Sequence, residues 1–387
     1  MTLFRRLAAV LLVVLTAHQA AAFETKARAA YIVDITTGTV LLEKNAREAL
    51  PPASMSKLMT LYVAFEALRE GRLTLDERLP VSEHAMSYGG STMFLNTQDK
   101  VRVEDLLRGI IVLSGNDACA VIAEALSPDG TEPGFARYMT KRAQALGMEN
   151  STFMNSNGWP QAGHLMSVRD LGILAQHIIN DFPEFYPLFG ETSYDFDGRA
   201  PANVNNRNPL LRLNIGADGL KTGHTTEAGY GLVGSAKQGD RRVLFVITGL
   251  DSENARAEEA AAIVNWSFRQ FAERTVAHAG QPVAQADVWM GREQSVGLVP
   301  KEDLKILLPT LTANKLDAEV VYRGPVEAPV TQGQELGALV IRPEGLPEVR
   351  LPLVADRSVP AGGFGVRLKT AVTLLLNRVA ATPADQS

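Results

Sequence analysis

The chain has 387 residues, 46% of them apolar and 21% charged, which excludes wholesale disorder. Thirty-eight basic against 43 acidic side chains leave a formal charge of −5, and this lacks the basic footprint of a dedicated nucleic-acid binder. The length exceeds what one hydrophobic core serves, so two domains are expected, while a single cysteine, Cys119, rules out an intramolecular disulfide.

Residues 1–22 read as a secretory signal peptide. Arg5 and Arg6 form a positive region, Leu7 to Leu15 an apolar run, and Ala20-Ala21-Ala22 a cleavage site before Phe23. The apolar run is shorter than the roughly 20 residues a membrane-spanning helix needs. Export is therefore expected despite the low cysteine count.

Residues 30–45 predict a hairpin, with β-rich runs around Thr37-Gly38. A helix is predicted from Ser54 to about Leu68, where Leu58, Leu61, Tyr62, Phe65 and Leu68 recur at spacings of three and four. A second helical region spans about 103–126 and breaks at Ser114-Gly115-Asn116. Helical periodicity returns around 171–179, followed by a loop-rich stretch over 195–213. Strands are predicted over 230–236 and 242–249, then a helix over about 254–273. Strands near both ends with helices between them give an α+β plan built on one sheet, over residues 23–275. Residues 276–360 carry frequent prolines and short β-type runs such as Ile306-Leu307-Leu308, which predict a small all-β domain. In the tail, 361–387, Phe364, Leu368, Ala371, Val372, Leu375, Leu376 and Val379 share one helical face, with Arg367, Lys369 and Arg378 at its edges. Such a helix suits a membrane surface or a protein face, and alone it is marginal.

Three short motifs occur in order: Ser54-Met55-Ser56-Lys57, Ser114-Gly115-Asn116, and Lys221-Thr222-Gly223 just before a predicted strand. Taken singly, they also read as a helix N-cap, a helix-break loop and a turn. Together they specify chemistry. A serine hydroxyl needs a base to become a nucleophile. Residues three apart share a helix face, so Lys57 can reach Ser54. To accept the proton, the Lys57 pKa must fall from about 10.4 to near neutrality, by burial or by repulsion from Lys221. Ser114 can relay a proton, and Asn116 can hold both Lys57 and a substrate amide. Free N–H groups at the start of the Ser54 helix favour an oxyanion hole. A strand edge at Lys221-Thr222 can take an extended peptide, with its terminal carboxylate meeting those two residues. No Cys/His cluster offers a zinc site, and neither metal nor cofactor is expected.

The set of S-x-x-K, S-x-N and K-T-G motifs resembles the signature of serine penicillin-recognising enzymes. The segments Pro52–Thr60, Ser114–Ala118 and Asp218–Thr225 resemble those of the low-molecular-mass D-alanyl-D-alanine carboxypeptidases, the type-5 and type-6 penicillin-binding proteins. The resemblance covers nearly the whole mature chain. It implies a β-lactamase/transpeptidase-like catalytic domain, an antiparallel sheet with helices on both faces and a helical subdomain. It also implies removal of the terminal D-Ala from peptidoglycan pentapeptides, covalent inhibition by β-lactams, and a periplasmic place on the inner membrane held by the C-terminal helix. Position by position, Ser54 resembles the acylated nucleophile, Lys57 its base, Ser114 and Asn116 the second-motif pair, and Lys221, Thr222 and Gly223 the substrate edge. The N–H groups of Ser54 and His224 would form the oxyanion hole. Arg207 and Arg256 resemble two arginines near the carboxylate site, and Gly89-Gly90-Ser91 a loop that affects deacylation. The motifs also admit a D,D-endopeptidase. A β-lactamase fits less well, because no E-x-x-L-N segment separates the second and third motifs. Intact motif residues disfavour a non-catalytic wall scaffold.

Overall fold

The computed structural model describes residues 23–199, 202–310, 316–343 and 345–365. The signal segment and nearly all of the predicted tail helix lie outside the described residues.

The first sheet begins with β1 (Ala29–Asp34) and β2 (Thr39–Lys44), the predicted hairpin. After a 3-10 turn over Ala53–Ser56 the chain enters α1 (Lys57–Arg69). A helical region follows, edged by the short ribbon β3 (Arg78–Pro80) and β4 (Lys100–Arg102). It contains α2 (Glu83–Met86), α3 (Val103–Arg108), α4 (Asn116–Leu126) and α5 (Glu132–Ala145), then α6 (Val168–Asp181). The chain returns to the sheet through β5 (Ala217–Thr225), β6 (Gly229–Gln238) and β7 (Arg241–Leu250), and α7 (Glu253–Gln270) follows. The strand order is β2-β1-β7-β6-β5, antiparallel throughout, so β5 is an edge.

The sheet is covered on both faces, which explains the nearly continuous apolar runs of the inner strands β1 and β7. Val33, Val233, Leu244 and Val246 join a core with α1, α4, α5 and α6. Their alternating neighbours Ile32, Leu232, Phe245 and Ile247 pack on the other side against Ile263 and Val264 of α7. Helices therefore cover both faces, and the α+β plan holds.

Two elements differ from expectation. The third motif lies inside strand β5 rather than before a strand. The helix predicted to reach residue 273 stops at Gln270, where Phe271 begins β8 (Phe271–Ala277). β8 pairs with a later strand of the all-β region, and β-branched Thr275 and Val276 suit that extended form. The rest of that region comprises β9 (Ala284–Trp289), β10 (Ser295–Val299), β11 (Leu304–Pro309), β12 (Asp317–Tyr322), β13 (Val326–Glu327), β14 (Glu335–Arg342) and β15 (Val349–Ala355). β11 pairs with β8, and the others form a sheet ordered β12-β14-β15-β10-β9-β13. Its separate core gathers Val288, Leu298, Ile306, Leu308, Ile341 and Leu353.

Candidate active site

Ser54 sits in the 3-10 turn that leads into α1, and Lys57 is the first residue of α1. Ala53, just before Ser54, adopts φ +48°, a left-handed conformation uncommon for a residue with a Cβ. The Lys57 ammonium is fully buried. Nζ donates to Ser54 Oγ at 2.9 Å, Asn116 Oδ1 at 2.7 Å and the Asn157 carbonyl at 2.5 Å. All three of its donors are thus used. Burial pulls the Lys57 pKa down to about 8, and the Arg207 charge acts in the same direction. Burial, not repulsion from Lys221, is the leading cause.

The second motif interrupts the helical region as the sequence predicted. A π-turn over Gly109–Leu113 ends at Ser114 with φ +63°, and Asn116 opens α4. Asn116 does two things at once. Its Oδ1 accepts from Lys57, and its Nδ2 donates to the Gly89 carbonyl at 2.8 Å. The amide that could meet a substrate therefore holds the Gly89-Gly90-Ser91 loop instead. Asp117 holds the segment just after that loop by accepting from the Met93 and Leu95 N–H groups.

The third motif lies in mid-β5. Lys221 is buried, and its Nζ donates to Ser114 Oγ at 3.0 Å and to the Thr222 carbonyl at 3.2 Å. Burial first, then Arg207 and Lys57, depress its pKa well below the usual lysine value. Gly223 allows a close approach: a Cβ there would stand 3.0 Å from both Met55 Cγ and the Pro52 carbonyl. The start of β5 is pinned by Arg242, whose Nη1 and Nη2 donate to Asp218 at 2.8 and 2.7 Å, and by Tyr186 at 2.8 Å.

These residues surround an open cleft of about 570 Å³. Ser54, Ser114, Asn116, Thr222, Gly223, His224, Arg207 and Arg256 all line it, whereas Lys57 and Lys221 lie behind its wall. Arg207 donates to Ser91 Oγ at 2.9 Å and to the Leu113 carbonyl at 3.0 Å. Arg256 pairs with Glu253 at 2.8 Å, and its buried Nε has no hydrogen-bond partner among the described residues. Both arginines leave this end of the cleft positively charged. Among the described residues, no group of three or more His, Cys, Asp or Glu side chains is placed to hold a metal.

Sequence reasoning missed one wall. The loop Asn155–Trp159 supplies the Asn157 carbonyl that Lys57 uses and the half-exposed Trp159 that lines the cleft. Asn155 Oδ1 accepts from the Gly158 N–H at 2.8 Å, and Gly158 takes φ +81°. The Asn-Gly pair was the available signal, since Asn bonds its own backbone and Gly tolerates the left-handed turn. Glu132 was also missed. Its buried carboxylate accepts from Ser156 N at 2.9 Å and Ser156 Oγ at 2.5 Å. It also accepts from Tyr88 Oη and meets His84 Nε2, both at 2.6 Å. Burial pushes Glu132 up, but these hydrogen bonds outweigh it and hold the group below the usual carboxylate range.

Comparison with known proteins agrees with this geometry. Residues 14–252 match the family described as D-alanyl-D-alanine carboxypeptidase, and residues 271–361 match the penicillin-binding protein 5 C-terminal domain. The D-alanyl-D-alanine carboxypeptidase DacD of Salmonella typhimurium is 35% identical over 345 residues, covering 87% of each chain. Penicillin binding protein 5 from Haemophilus influenzae superposes with a TM-score of 0.76 at 31% identity, over 87% of this chain and 98% of that one. Penicillin-binding protein D2 from Listeria monocytogenes in its ampicillin-bound form aligns at 30% identity and a TM-score of 0.57, over 63% of this chain and 98% of its own. The chain belongs to the D-alanyl-D-alanine carboxypeptidase family, the low-molecular-mass penicillin-binding proteins.

Proposed function

We propose that this protein is a serine-type D-alanyl-D-alanine carboxypeptidase that removes the terminal D-Ala from peptidoglycan pentapeptides. The observation that carries this reading is the buried Lys57 Nζ, 2.9 Å from Ser54 Oγ, with its pKa lowered to about 8. Roughly a tenth of that lysine is neutral at pH 7, enough to act as a base.

The neutral amine accepts the Ser54 proton as Oγ attacks the carbonyl of the penultimate D-Ala. The developing oxyanion is held by the N–H groups of Ser54 and His224. Collapse breaks the peptide bond, and the departing D-Ala amine takes a proton relayed through Ser114. Water then hydrolyses the Ser54 ester, releasing the shortened stem as a carboxylate and restoring the serine. Asn116 orients Lys57. Lys221 holds Ser114, and Thr222, Arg207 and Arg256 receive the substrate carboxylate at the edge of β5. A β-lactam carbonyl is attacked in the same way, but ring opening leaves the displaced nitrogen tethered in the site.

The chain divides by this reading into a signal peptide (1–22), a catalytic domain (23–275), an all-β domain (276–360) and a tail (361–387). The protein is exported and attached peripherally to the periplasmic side of the membrane by that tail.

The test is incubation with a pentapeptide ending in D-Ala-D-Ala and mass detection of products. Release of one D-Ala per peptide is expected. An intact pentapeptide alongside cleavage of a cross-linked dimer would replace the carboxypeptidase with an endopeptidase.

A further inference from the structure

The segment Asn206-Arg207-Asn208 brings Arg207 to the cleft without being part of a helix or strand. It runs from the isolated bridge between Ser193 and Asn205 into a 3-10 turn over Pro209–Arg212. Charge opposes its position. Arg256 Nη2 donates to the Arg207 carbonyl at 3.4 Å, and burial, followed by that second positive charge, lowers the Arg207 pKa. Two like charges kept at one end of a cleft need a rigid mounting.

The mounting comes from the two flanking amides. Asn206 Nδ2 donates to the Glu191 carbonyl at 2.9 Å, and its Oδ1 accepts from the Asn208 N–H at 3.0 Å. Asn208 is only 3% exposed. Its Oδ1 accepts from the Leu210 N–H at 3.1 Å, capping the 3-10 turn, and its Nδ2 donates to the Gly219 carbonyl at 2.9 Å. Gly219 belongs to β5, three residues before Thr222. Among the described residues, that last bond is the hydrogen bond that joins residues 206–208 to β5.

We infer that Asn208 is a positioning residue: its buried amide fixes the loop that carries Arg207 against the strand that carries Thr222, and so sets the spacing of two groups that receive the substrate carboxylate. The inference goes beyond the carboxypeptidase reading and rests on it. The bridge needs a donor of the right length at position 208, because its acceptor is a main-chain carbonyl. Serine there still caps the turn but is too short to reach Gly219, so Asn208→Ser cuts the bridge alone.

Two pentapeptides test this, one ending in D-Ala-D-Ala and one of the same sequence with a terminal amide in place of the carboxylate. Release of the last residue is measured with the full chain, Asn208→Ser, Arg207→Ala and the double variant. The native protein should prefer the carboxylate by roughly tenfold or more in kcat/KM, the size of a hydrogen bond to a charged group. Asn208→Ser should shrink that preference by roughly threefold to tenfold, through KM rather than kcat. In the Arg207→Ala background it should change the preference no further, because the two residues act through one contact. Asn208→Thr, which also caps the turn, should behave as Asn208→Ser does. The ratio between peptides is unmoved by a general loss of folded protein. No preference in the native protein, a preference unchanged in both variants, or one reduced equally with and without Arg207, overturns the inference and leaves the carboxypeptidase reading standing. No release from the carboxylate peptide by the native protein overturns that reading, and the inference falls with it.

Discussion

Lys57 spends its three donors on Ser54, Asn116 and the Asn157 carbonyl, and burial lowers its pKa to about 8. Acylation should therefore rise with pH through a midpoint near 8, falling about tenfold for each pH unit below it. Stopped-flow acylation by a chromogenic β-lactam measures this. Lys57→Arg should lose acylation by orders of magnitude, because a guanidinium stays charged. The same shift affects stability. The folded pKa lies below the unfolded one, so the Lys57 contribution is least favourable below about pH 8 and improves as pH rises towards 10.5. Gly158 is the second critical residue. A Cβ there would stand within van der Waals distance of the Ala53 carbonyl, next to Ser54, at φ +81°. Gly158→Ala should cost about 2 kcal/mol or more in urea unfolding and slow acylation as well. Ser54, Lys57, Ser114, Asn116 and Lys221 were legible because their chemistry is fixed by residue type and spacing. The Asn157 carbonyl was not, because a main-chain acceptor leaves no trace in residue type.

At the level of elements, β5 carries the site, yet its sequence hides a strand. Ala217-Asp218-Gly219-Leu220-Lys221-Thr222-Gly223-His224-Thr225 has one large apolar residue and two glycines. Its extended form comes from pairing with β6 and from the Asp218 bridge to Arg242, both set by distant parts of the chain. The helical break at Ser114 was legible because Gly and Asn interrupt a strong apolar period. Glu132 ties three elements: α5, the Ser156 loop, and the Tyr88 segment ahead of Gly89. These bonds place it to act on the site through the neighbouring Asn157 carbonyl and the loop that Asn116 holds, and such a positioning role has measurable consequences. Glu132→Ala should lower stability by about 2–3 kcal/mol by leaving buried donors unpaired. It should also lower kcat more than it raises KM and distort the pH profile set by Lys57. Loss of stability with an unchanged kcat and pH profile would reduce Glu132 to a structural role.

On the scale of the molecule, α7 passes directly into β8, and Arg241 spans the junction. It donates to the buried Asp34 carboxylate at 2.9 Å and to the Phe271 carbonyl at 2.6 Å. The α+β plan was legible because apolar strands near both ends of residues 23–275 bracket helical periods. The start of β8 was not, since Phe271-Ala272-Glu273 continues the helical composition and only the pairing with β11 draws it out. No helix among the described residues is long and apolar enough to cross a membrane. If the tail attaches the protein peripherally, as proposed, deletion of residues 364–387 should move it from the membrane to the soluble fraction on cell fractionation. Retention on the membrane would remove the tail from that role.

Catalysis by Ser54 is tested most directly by intact-protein mass after brief exposure to penicillin. The native chain should gain one penicillin per molecule, located by peptide mapping on Ser54, and Ser54→Ala should gain none. An adduct of equal occupancy in Ser54→Ala, or one mapped to another residue, would contradict the assignment.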